Sequence, residues 1–298
     1  MLTRRRFIAI SAALAPSLAM ARTPDLHVET GIALGATVTL RLHHPDAPRI
    51  AALAMAEIRR LEQVFSLYLP DSALVRLNRD TRLDAPPFEL LECLTLAAAV
   101  HRASGGAFEP TVQPLWQATA AALTRGAPLT EAERAQAGAL IGWQGVTLDP
   151  AAIILRPGMA LTLNGIAQGY IADRVAALLA SHGLTRALVD TGELVALPEG
   201  DWPVTLASGG GISLTDRALA TSAPLGMTFG GDGISSHILD PRTGAPVTVV
   251  WSSVSVSAPS AALADALSTA ACLMATEQSV LDLCAAFPGA RIEALVPA

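Results

Sequence analysis

A carboxylate and a hydroxyl stand four residues apart in an alanine-rich segment near the carboxyl end of the chain. Asp265 and Thr269 belong to the run ADALSTA at residues 264–270, whose composition favours a helix. A spacing of four places both side chains on one helical face, and two hard oxygen donors are suited to Mg²⁺. Because a carboxylate buried in an apolar helix is costly, a cation or a hydrogen-bond network has to compensate its charge.

A second polar group precedes this helix by about twenty residues, in the run SHILDPRTGAPV at residues 236–247. His237 and Asp240 bracket the end of a predicted strand, and Pro-Arg-Thr-Gly at residues 241–244 predicts a tight turn. If this turn meets the helix of the first motif, we expect a site that handles phosphate. Two roles for Asp240 stay open: it caps the turn, which we favour, or it orients the imidazole of His237.

Three further segments could contact a ligand. The run LNGIAQGYIAD at residues 163–173 passes from a predicted strand into a helix, whose first N–H groups are suited to an anion. It is not a Walker loop, because no lysine follows its second glycine. The run SGGAFEPTV at residues 104–112 sets two glycines beside Glu109, but taken alone it is better explained as a turn that ends a helix. Tyr68 enters a loop, where it could stack on a flat ring or simply anchor the surface.

Composition and charge exclude some classes of protein. With 298 residues and 51% hydrophobic content, the chain can bury a large core without a structural metal or disulfide. A net charge of −6, with no basic stripe beyond the first residues, argues against a nucleic-acid partner. Cys93, Cys272 and Cys284 are predicted to be buried free thiols, although a bridge between the last two remains open.

The amino terminus predicts export. Three arginines followed by Phe7 precede an apolar, alanine-rich run to about Met20, and Ala-Met-Ala at residues 19–21 fits a small-x-small cleavage site. The run is too short and too rich in alanine to predict a membrane span. We expect an export signal over residues 1–21, either of the twin-arginine type or an ordinary secretory signal with a basic start. The mature protein, residues 22–298, is then periplasmic, with no stable membrane insertion.

Hydrophobic periodicity predicts one compact α+β catalytic domain, with mixed β-sheets packed by helices. Helices are predicted over 49–65, 88–103, 131–141, 169–182, 261–275 and 279–287, and the third of them begins with a capping box of Thr130 and Glu133. Strands are predicted over 32–42, 146–148, 153–155, 187–190 and 292–295, with further short strands between 195 and 258. No repeat, low-complexity run or long linker divides the chain.

Seven motifs, in order and over most of the chain after the signal, resemble the ApbE family of FAD:protein FMN transferases. They are LGAT (34–37), FSLYLPDSALVRLN (65–78), SGGAFEPTVQPLW (104–116), LNGIAQGYIADRVAALL (163–179), DRALATS (216–222), HILDPRTGAP (237–246) and ADALSTA (264–270). The resemblance implies a periplasmic enzyme that binds FAD and Mg²⁺ and cleaves the FAD pyrophosphate. It then joins the FMN half to a threonine or serine hydroxyl of an acceptor flavoprotein and releases AMP.

The same resemblance implies roles for individual residues. The Mg²⁺ ligands would be the side chains of Asp265 and Thr269 and the backbone carbonyl of Gly165. His237, catalytic together with Asp265, would sit beside the reacting phosphate and accept or steer the proton of the acceptor hydroxyl. The FAD contacts would be Leu34, Tyr68, Ala107, Phe108, Glu109, Thr162, Gln168 and Leu239.

The chain departs from the family pattern on the side that would bind FAD. Family members usually carry an acid at the position of Thr162, and Lys or Glu at that of Gln168. The family's Gly-Gly-acid element is Thr-Gly-Glu at residues 191–193, and the region 197–213 looks compressed. These departures predict altered FAD binding with an intact metal site. Two alternatives stay open: an FAD pyrophosphatase that yields FMN and AMP, and a non-catalytic periplasmic FAD-binding protein.

Overall fold

The structure is a computed structural model that describes residues 25–33, 35–231 and 233–298. The export signal predicted over 1–21 and the predicted FAD contact Leu34 lie outside the described residues. Within the described residues, no helix is long and apolar enough to cross a membrane.

Fourteen strands and eight α-helices are present in the described part of the chain. The strands are β1 (Leu26–Ala33), β2 (Ala36–His43), β3 (Arg82–Asp84), β4 (Val146–Leu148), β5 (Ala152–Leu155), β6 (Ala187–Asp190), β7 (Leu194–Ala196), β8 (Trp202–Thr205), β9 (Gly211–Leu214), β10 (Arg217–Ser222), β11 (Leu239–Asp240), β12 (Ala245–Pro246), β13 (Trp251–Ala258) and β14 (Arg291–Pro297). The helices are α1 (Ala47–Phe65), α2 (Ala73–Asp80), α3 (Phe88–Ala103), α4 (Gln113–Thr124), α5 (Glu131–Gly138), α6 (Ala167–Ser181), α7 (Ala261–Ala271) and α8 (Glu277–Ala285).

A seven-stranded sheet in the order β1-β2-β6-β7-β10-β13-β14 forms the centre of the molecule. Three small sheets, β3-β5-β4, β8-β9 and β11-β12, lie outside it. The predicted α+β class and single compact domain are confirmed. The sheets were expected to be mixed, but every described strand pair is antiparallel. Tight connections such as that between β6 and β7 return the chain directly alongside itself, which produces antiparallel neighbours.

Several predicted elements have the bounds that their local signals indicated. Helix α3 and strand β4 match their predicted limits, and α5 has the predicted capping box, in which Thr130 and Glu133 bond reciprocally. The strand predicted over 32–42 is wrong: it is the hairpin of β1 and β2, which turns at Gly35 with a φ of +76°. Helices α2 and α4 were not predicted, and α7 ends at Ala271 rather than 275.

Helix α7 is buried on nearly all sides, because it contacts β10 and β13 as well as α3 and α6. A helix that is apolar all round has no solvent face, which explains its alanine-rich sequence. Its approach to α6 is close, since a Cβ at Gly169 would lie 2.3 Å from the carbonyl oxygen of Ala261.

Asp173 of α6 caps the beginning of α7. Its carboxylate accepts hydrogen bonds from the N–H groups of Ala261 at 2.7 Å and Ala262 at 2.9 Å. These donors have no partner within their own helix, so Asp173 supplies what the helix start lacks. The contact fixes the position of α7 along α6, and with it every side chain that α7 presents.

Candidate functional site

A cavity of about 400 Å³ brings together most of the residues that the sequence indicated. Ten of the twelve predicted site residues line it: Ala107, Phe108, Glu109, Thr162, Gly165, Gln168, His237, Leu239, Asp265 and Thr269. The other two are Leu34, outside the described residues, and Tyr68. Tyr68 is 75% exposed and is not among the described residues that line the cavity. A cavity of this volume is typical of small-molecule and cofactor sites.

The two oxygen donors of α7 share one helical face, as their spacing predicted, and meet the backbone of Gly165. A Cβ added at Gly165 would lie 2.8 Å from Thr269 Oγ1 and 2.9 Å from its Cγ2, so glycine is required for this close approach. Asp265 is only 3% exposed. A buried carboxylate, a hydroxyl and a glycine backbone therefore lie together at one end of the cavity.

The start of α6 contributes to the same end, in a way that the sequence did not predict. The N–H of Gly169, expected to be free for an anionic ligand, donates to Asp265 Oδ2 at 3.3 Å. This bond favours the ionised carboxylate, but burial outweighs it and raises the pKa of Asp265, and the nearby charge of Asp173 adds to the rise. The carboxylate is thus under-compensated by the protein alone.

Glu193 is a second buried carboxylate of the cavity, one that the site prediction did not include. It is 8% exposed, and its Oε2 finds no hydrogen-bond partner among the described residues. Burial, followed by the charge of Asp265, raises the pKa of Glu193 well above its ordinary value. A signal for it existed in the sequence, because Glu193 ends the Thr-Gly-Glu element that departs from the family pattern.

These groups fit a hard divalent cation better than a soft one. The described residues contain no cluster of three or more His, Cys, Asp or Glu side chains suited to a metal. A cation bound here would use the Asp265 carboxylate, the Thr269 hydroxyl and a backbone carbonyl, and complete its shell with water or ligand phosphate. Mg²⁺ binds in this way, through one or two carboxylates and substrate oxygens.

The hydroxyl of Thr269 is held by Ser222 of β10, which is itself bonded to Ser268 of α7. Ser222 Oγ lies 2.7 Å from Ser268 Oγ and 3.3 Å from Thr269 Oγ1. Ser222 also lines the cavity, although the sequence indicated it only as part of the DRALATS motif. Such outer hydrogen bonds fix the direction of a ligand's lone pairs.

His237 is half-buried in the cavity wall, with its ring tautomer fixed by a carbonyl. Nδ1 lies 2.8 Å from the backbone oxygen of Met227, and because a carbonyl only accepts, Nδ1 carries the proton. In the neutral imidazole, Nε2 is then left with a lone pair. The predicted turn role of Asp240 is confirmed, since its carboxylate accepts from the backbone N–H of Arg242 at 2.9 Å and from Nε at 2.8 Å.

A further part of the cavity wall is formed by the turn after α3. Gly105 and Gly106 have φ values of +61° and +84°, so this segment does end a helix. The carboxylate of Glu109 accepts from the N–H of Thr111 at 3.0 Å and from its hydroxyl at 2.7 Å. Thr162 is tied to this wall by its N–H, which donates to Pro110 O at 2.8 Å.

The ApbE family model matches residues 34–294, most of the chain. This chain belongs to the ApbE family. The resemblance carried by the seven motifs is thereby confirmed, and the fold and cavity described above are those of an ApbE member.

Curated relatives and solved structures agree with this placement. The FAD:protein FMN transferase of Treponema pallidum (strain Nichols) is 32% identical over 273 residues, covering 78% of this chain and 73% of that protein. The FAD:protein FMN transferase of Klebsiella pneumoniae (strain 342) is 28% identical over 245 residues, covering 76% of each. The apo structure of the Pseudomonas stutzeri flavinyl transferase ApbE has a TM-score of 0.77 and 27% identity, covering 88% of this chain and 89% of that one. The ApbE protein of Thermotoga maritima also has a TM-score of 0.77, with 25% identity and coverage of 92% and 97%.

Proposed function

We propose that this protein is an FAD:protein FMN transferase that works with Mg²⁺. It transfers the FMN half of FAD to a threonine or serine hydroxyl of an acceptor flavoprotein and releases AMP. The observation that carries this proposal is the meeting of Asp265, Thr269 and Gly165 with His237 around one cavity, in an ApbE chain whose curated relatives bear that name.

Asp265, Thr269 and the backbone carbonyl of Gly165 would hold the Mg²⁺ ion. Bound there, the ion supplies Lewis-acid neutralisation of the pyrophosphate oxygens, which repel an attacking hydroxyl. The protein's own part is to keep these donors in place. Asp173 and Gly169 fix α7 against α6, and Ser222 directs the hydroxyl of Thr269.

His237 is the group that handles the proton. Its Nε2 has the free lone pair that accepts the proton of the acceptor hydroxyl, while Nδ1–H stays bonded to the carbonyl of Met227. That carbonyl also stabilises the imidazolium that forms. The hydroxyl oxygen bonds to the FMN phosphorus as the bond from this phosphorus to the bridging oxygen breaks, and AMP departs with that oxygen.

The remaining wall would bind FAD. We call the part of the cavity formed by Asp265, Thr269 and Gly165 the cation end. The rest of the cavity is lined by Ala107, Phe108, Glu109, Thr162, Gln168 and Leu239. The roles of Tyr68 and Leu34 as FAD contacts rest on the family resemblance alone. We also propose that the protein is exported through a signal at residues 1–21 and acts in the periplasm, which cell fractionation with and without those residues would test.

Mass spectrometry of a co-incubated acceptor tests the transferase directly. With FAD and Mg²⁺ present, the acceptor should gain the mass of one FMN, and Asp265→Ala should abolish the gain. Asp282→Ala is the matched control, because Asp282 is an exposed carboxylate of α8. His237→Ala should reduce the rate by about 10²-fold or more, the usual contribution of a general base, and leave cation affinity unchanged.

Chromatography of the same reactions separates the alternatives. A pyrophosphatase would release free FMN and AMP at the same rate with and without acceptor. A non-catalytic binding protein would retain intact FAD through prolonged incubation with Mg²⁺ and acceptor. Either result, with an unlabelled acceptor, would refute the transferase proposal.

A further inference from the structure

Glu193 is a buried carboxylate that the proposed transfer does not use. It lies in the connection between β6 and β7, is only 8% exposed, and lines the cavity. Its Oε2 has no hydrogen-bond partner among the described residues. Burying a carboxylate oxygen without a hydrogen-bond partner costs free energy of folding. We therefore expect Oε2 to have a partner that the polypeptide does not supply.

The position of Glu193 is fixed by the sheet and not by chance packing. Its backbone carbonyl accepts from the N–H of Thr191 at 3.1 Å, and the next residue, Leu194, begins β7 and pairs with Leu219 of β10. The hydroxyl of Thr191 in turn donates to the carbonyl of Gln168 at 3.0 Å. These contacts tie the Glu193 turn to both β10 and α6, the two elements that flank α7.

The charges around Glu193 are negative. The carboxylates that act on it are those of Asp265 and Asp190. The described residues lining the cavity include the acids Glu109, Glu193 and Asp265 but no lysine or arginine. A cavity with this lining repels an anionic ligand such as a pyrophosphate unless a cation lies between them.

We propose that Glu193 is a further protein group of the cation site and binds, directly or through one water, the divalent ion held by Asp265, Thr269 and Gly165. The unpaired Oε2 is the oxygen that would face the ion, while the pairing of β7 with β10 and the bond from Thr191 to Gln168 hold the turn in place. A second carboxylate raises affinity for a hard cation, and the bound cation in turn offsets the repulsion between the two buried acids. The assignment rests on the proposed function for the identity of the ion.

Cation titration of the protein without FAD or acceptor tests this inference separately from the transferase activity. We expect Glu193→Gln to weaken Mn²⁺ and Mg²⁺ binding by about tenfold or more, as measured by calorimetry. The substituted amide is isosteric with the carboxylate but carries no charge. Glu199→Gln, an exposed residue bonded to Thr185, is the control and should leave affinity unchanged.

Thermal unfolding distinguishes a ligand from a merely structural residue. Without cation, Glu193→Gln should be at least as stable as the wild type, because it removes an unpaired buried charge. With saturating Mn²⁺, the wild type should gain more in Tm than the variant, since a tighter ligand stabilises the folded state more. A structural role predicts instead a loss of Tm that is the same with and without the ion.

A second substitution keeps the inference falsifiable if the first variant folds poorly. Glu193→Asp keeps the charge and should bind Mn²⁺ more tightly than Glu193→Gln. Wild-type cation affinity in Glu193→Gln, or equal affinities in the Gln and Asp variants, would overturn the assignment. A protein that binds the ion through Glu193 but labels no acceptor would leave this inference standing and refute the transferase proposal.

Discussion

The two ends of the cavity differ in how firmly the fold holds them. The cation end is built on α7, which is enclosed by the central sheet, α3 and α6 and fixed at its start by Asp173. Elsewhere the cavity is bordered by Met227, whose side chain is 64% exposed. The reacting end needs donors held to a fraction of an ångström, and such precision comes from rigid, buried elements.

Two of the departures from the family pattern, Thr162 and Gln168, line the cavity away from the α7 donors, whereas the third, the Thr-Gly-Glu element, brings Glu193 to the cation end. Thr162 and Gln168 are half-buried, while the α7 donors keep the residues that the family motif has. A changed hydrogen bond to a large cofactor alters its affinity, whereas a displaced metal ligand removes the chemistry. We therefore predict that mutations at the cation end abolish FMN transfer, whereas mutations at the cofactor end change FAD affinity by smaller amounts.

The largest effect should come from Asp265→Asn. Losing this charge at the cation end should lower FMN transfer by about 10³-fold, which is typical when a key electrostatic group is removed. The fold should not suffer, because burial already disfavours the ionised carboxylate and Asn keeps an acceptor for Gly169 N–H. Acceptor labelling and a cation-free Tm measure the two outcomes, with Asp282→Asn as the control. Near-normal labelling would mean that the cation end has been placed wrongly.

The buried carboxyl of Asp173 should make the free energy of unfolding depend on pH. Burial raises the pKa of Asp173 from 3.8 to about 6, against the hydrogen bonds from Ala262 and Ala261, which lower it. The folded state therefore holds this proton more tightly than the unfolded state. This proton binding adds to the free energy of unfolding. The contribution is complete below the unfolded pKa of about 4 and is lost as the pH rises through about 6.

Denaturant unfolding at pH 4, 5, 6 and 7 measures this effect as the difference between the wild type and Asp173→Asn. The wild type should lose up to about 3 kcal/mol relative to the variant over this range, at about 1.4 kcal/mol for each pH unit between the two pKa values. Because the substitution also alters the cap of α7, we expect an additional difference in unfolding free energy that is the same at every pH. Asp282→Asn, which alters an exposed carboxylate of α8, is the control. A flat difference for Asp173→Asn would mean that α7 is not held by a buried charge.

Gly169→Ala tests the packing of α6 against α7 without changing any charge. The new Cβ would lie 2.3 Å from the backbone oxygen of Ala261, which cannot move without shifting α7. We expect a loss of about 1–3 kcal/mol, typical of overpacking, and weaker cation binding as Asp265 moves. Gly138→Ala in α5 is the control, since no described atom lies within 4 Å of its added Cβ. Equal stability of the two variants would show that α6 and α7 can separate freely.

The same contrast explains what the sequence alone could predict. The shared face of Asp265 and Thr269, the capping box of α5 and the limits of α3 depend on neighbours a few residues away, so local patterns are sufficient. The raised pKa of Glu193 depends in part on the charge of Asp265, 72 residues distant, and no local pattern carries that information. The β1–β2 hairpin was missed because alternation continues on both sides of the turn at Gly35, and α2 is only eight residues long.

The smallest effect should come from the cofactor end, through Thr162→Asp. The carboxylate would restore the acid that the family usually carries and offer a charged acceptor to N–H or O–H groups of FAD. A charge-assisted hydrogen bond is worth about 1.5–3 kcal/mol, and the acidic cavity lining offsets part of it. We therefore expect FAD to bind up to about tenfold more tightly, with Mn²⁺ affinity in the absence of FAD unchanged. Flavin fluorescence and calorimetry measure these two quantities. If Thr162→Asp changes cation affinity as strongly as FAD affinity, the two ends are not separable, and the contrast between a rigid reacting end and a tolerant cofactor end is wrong.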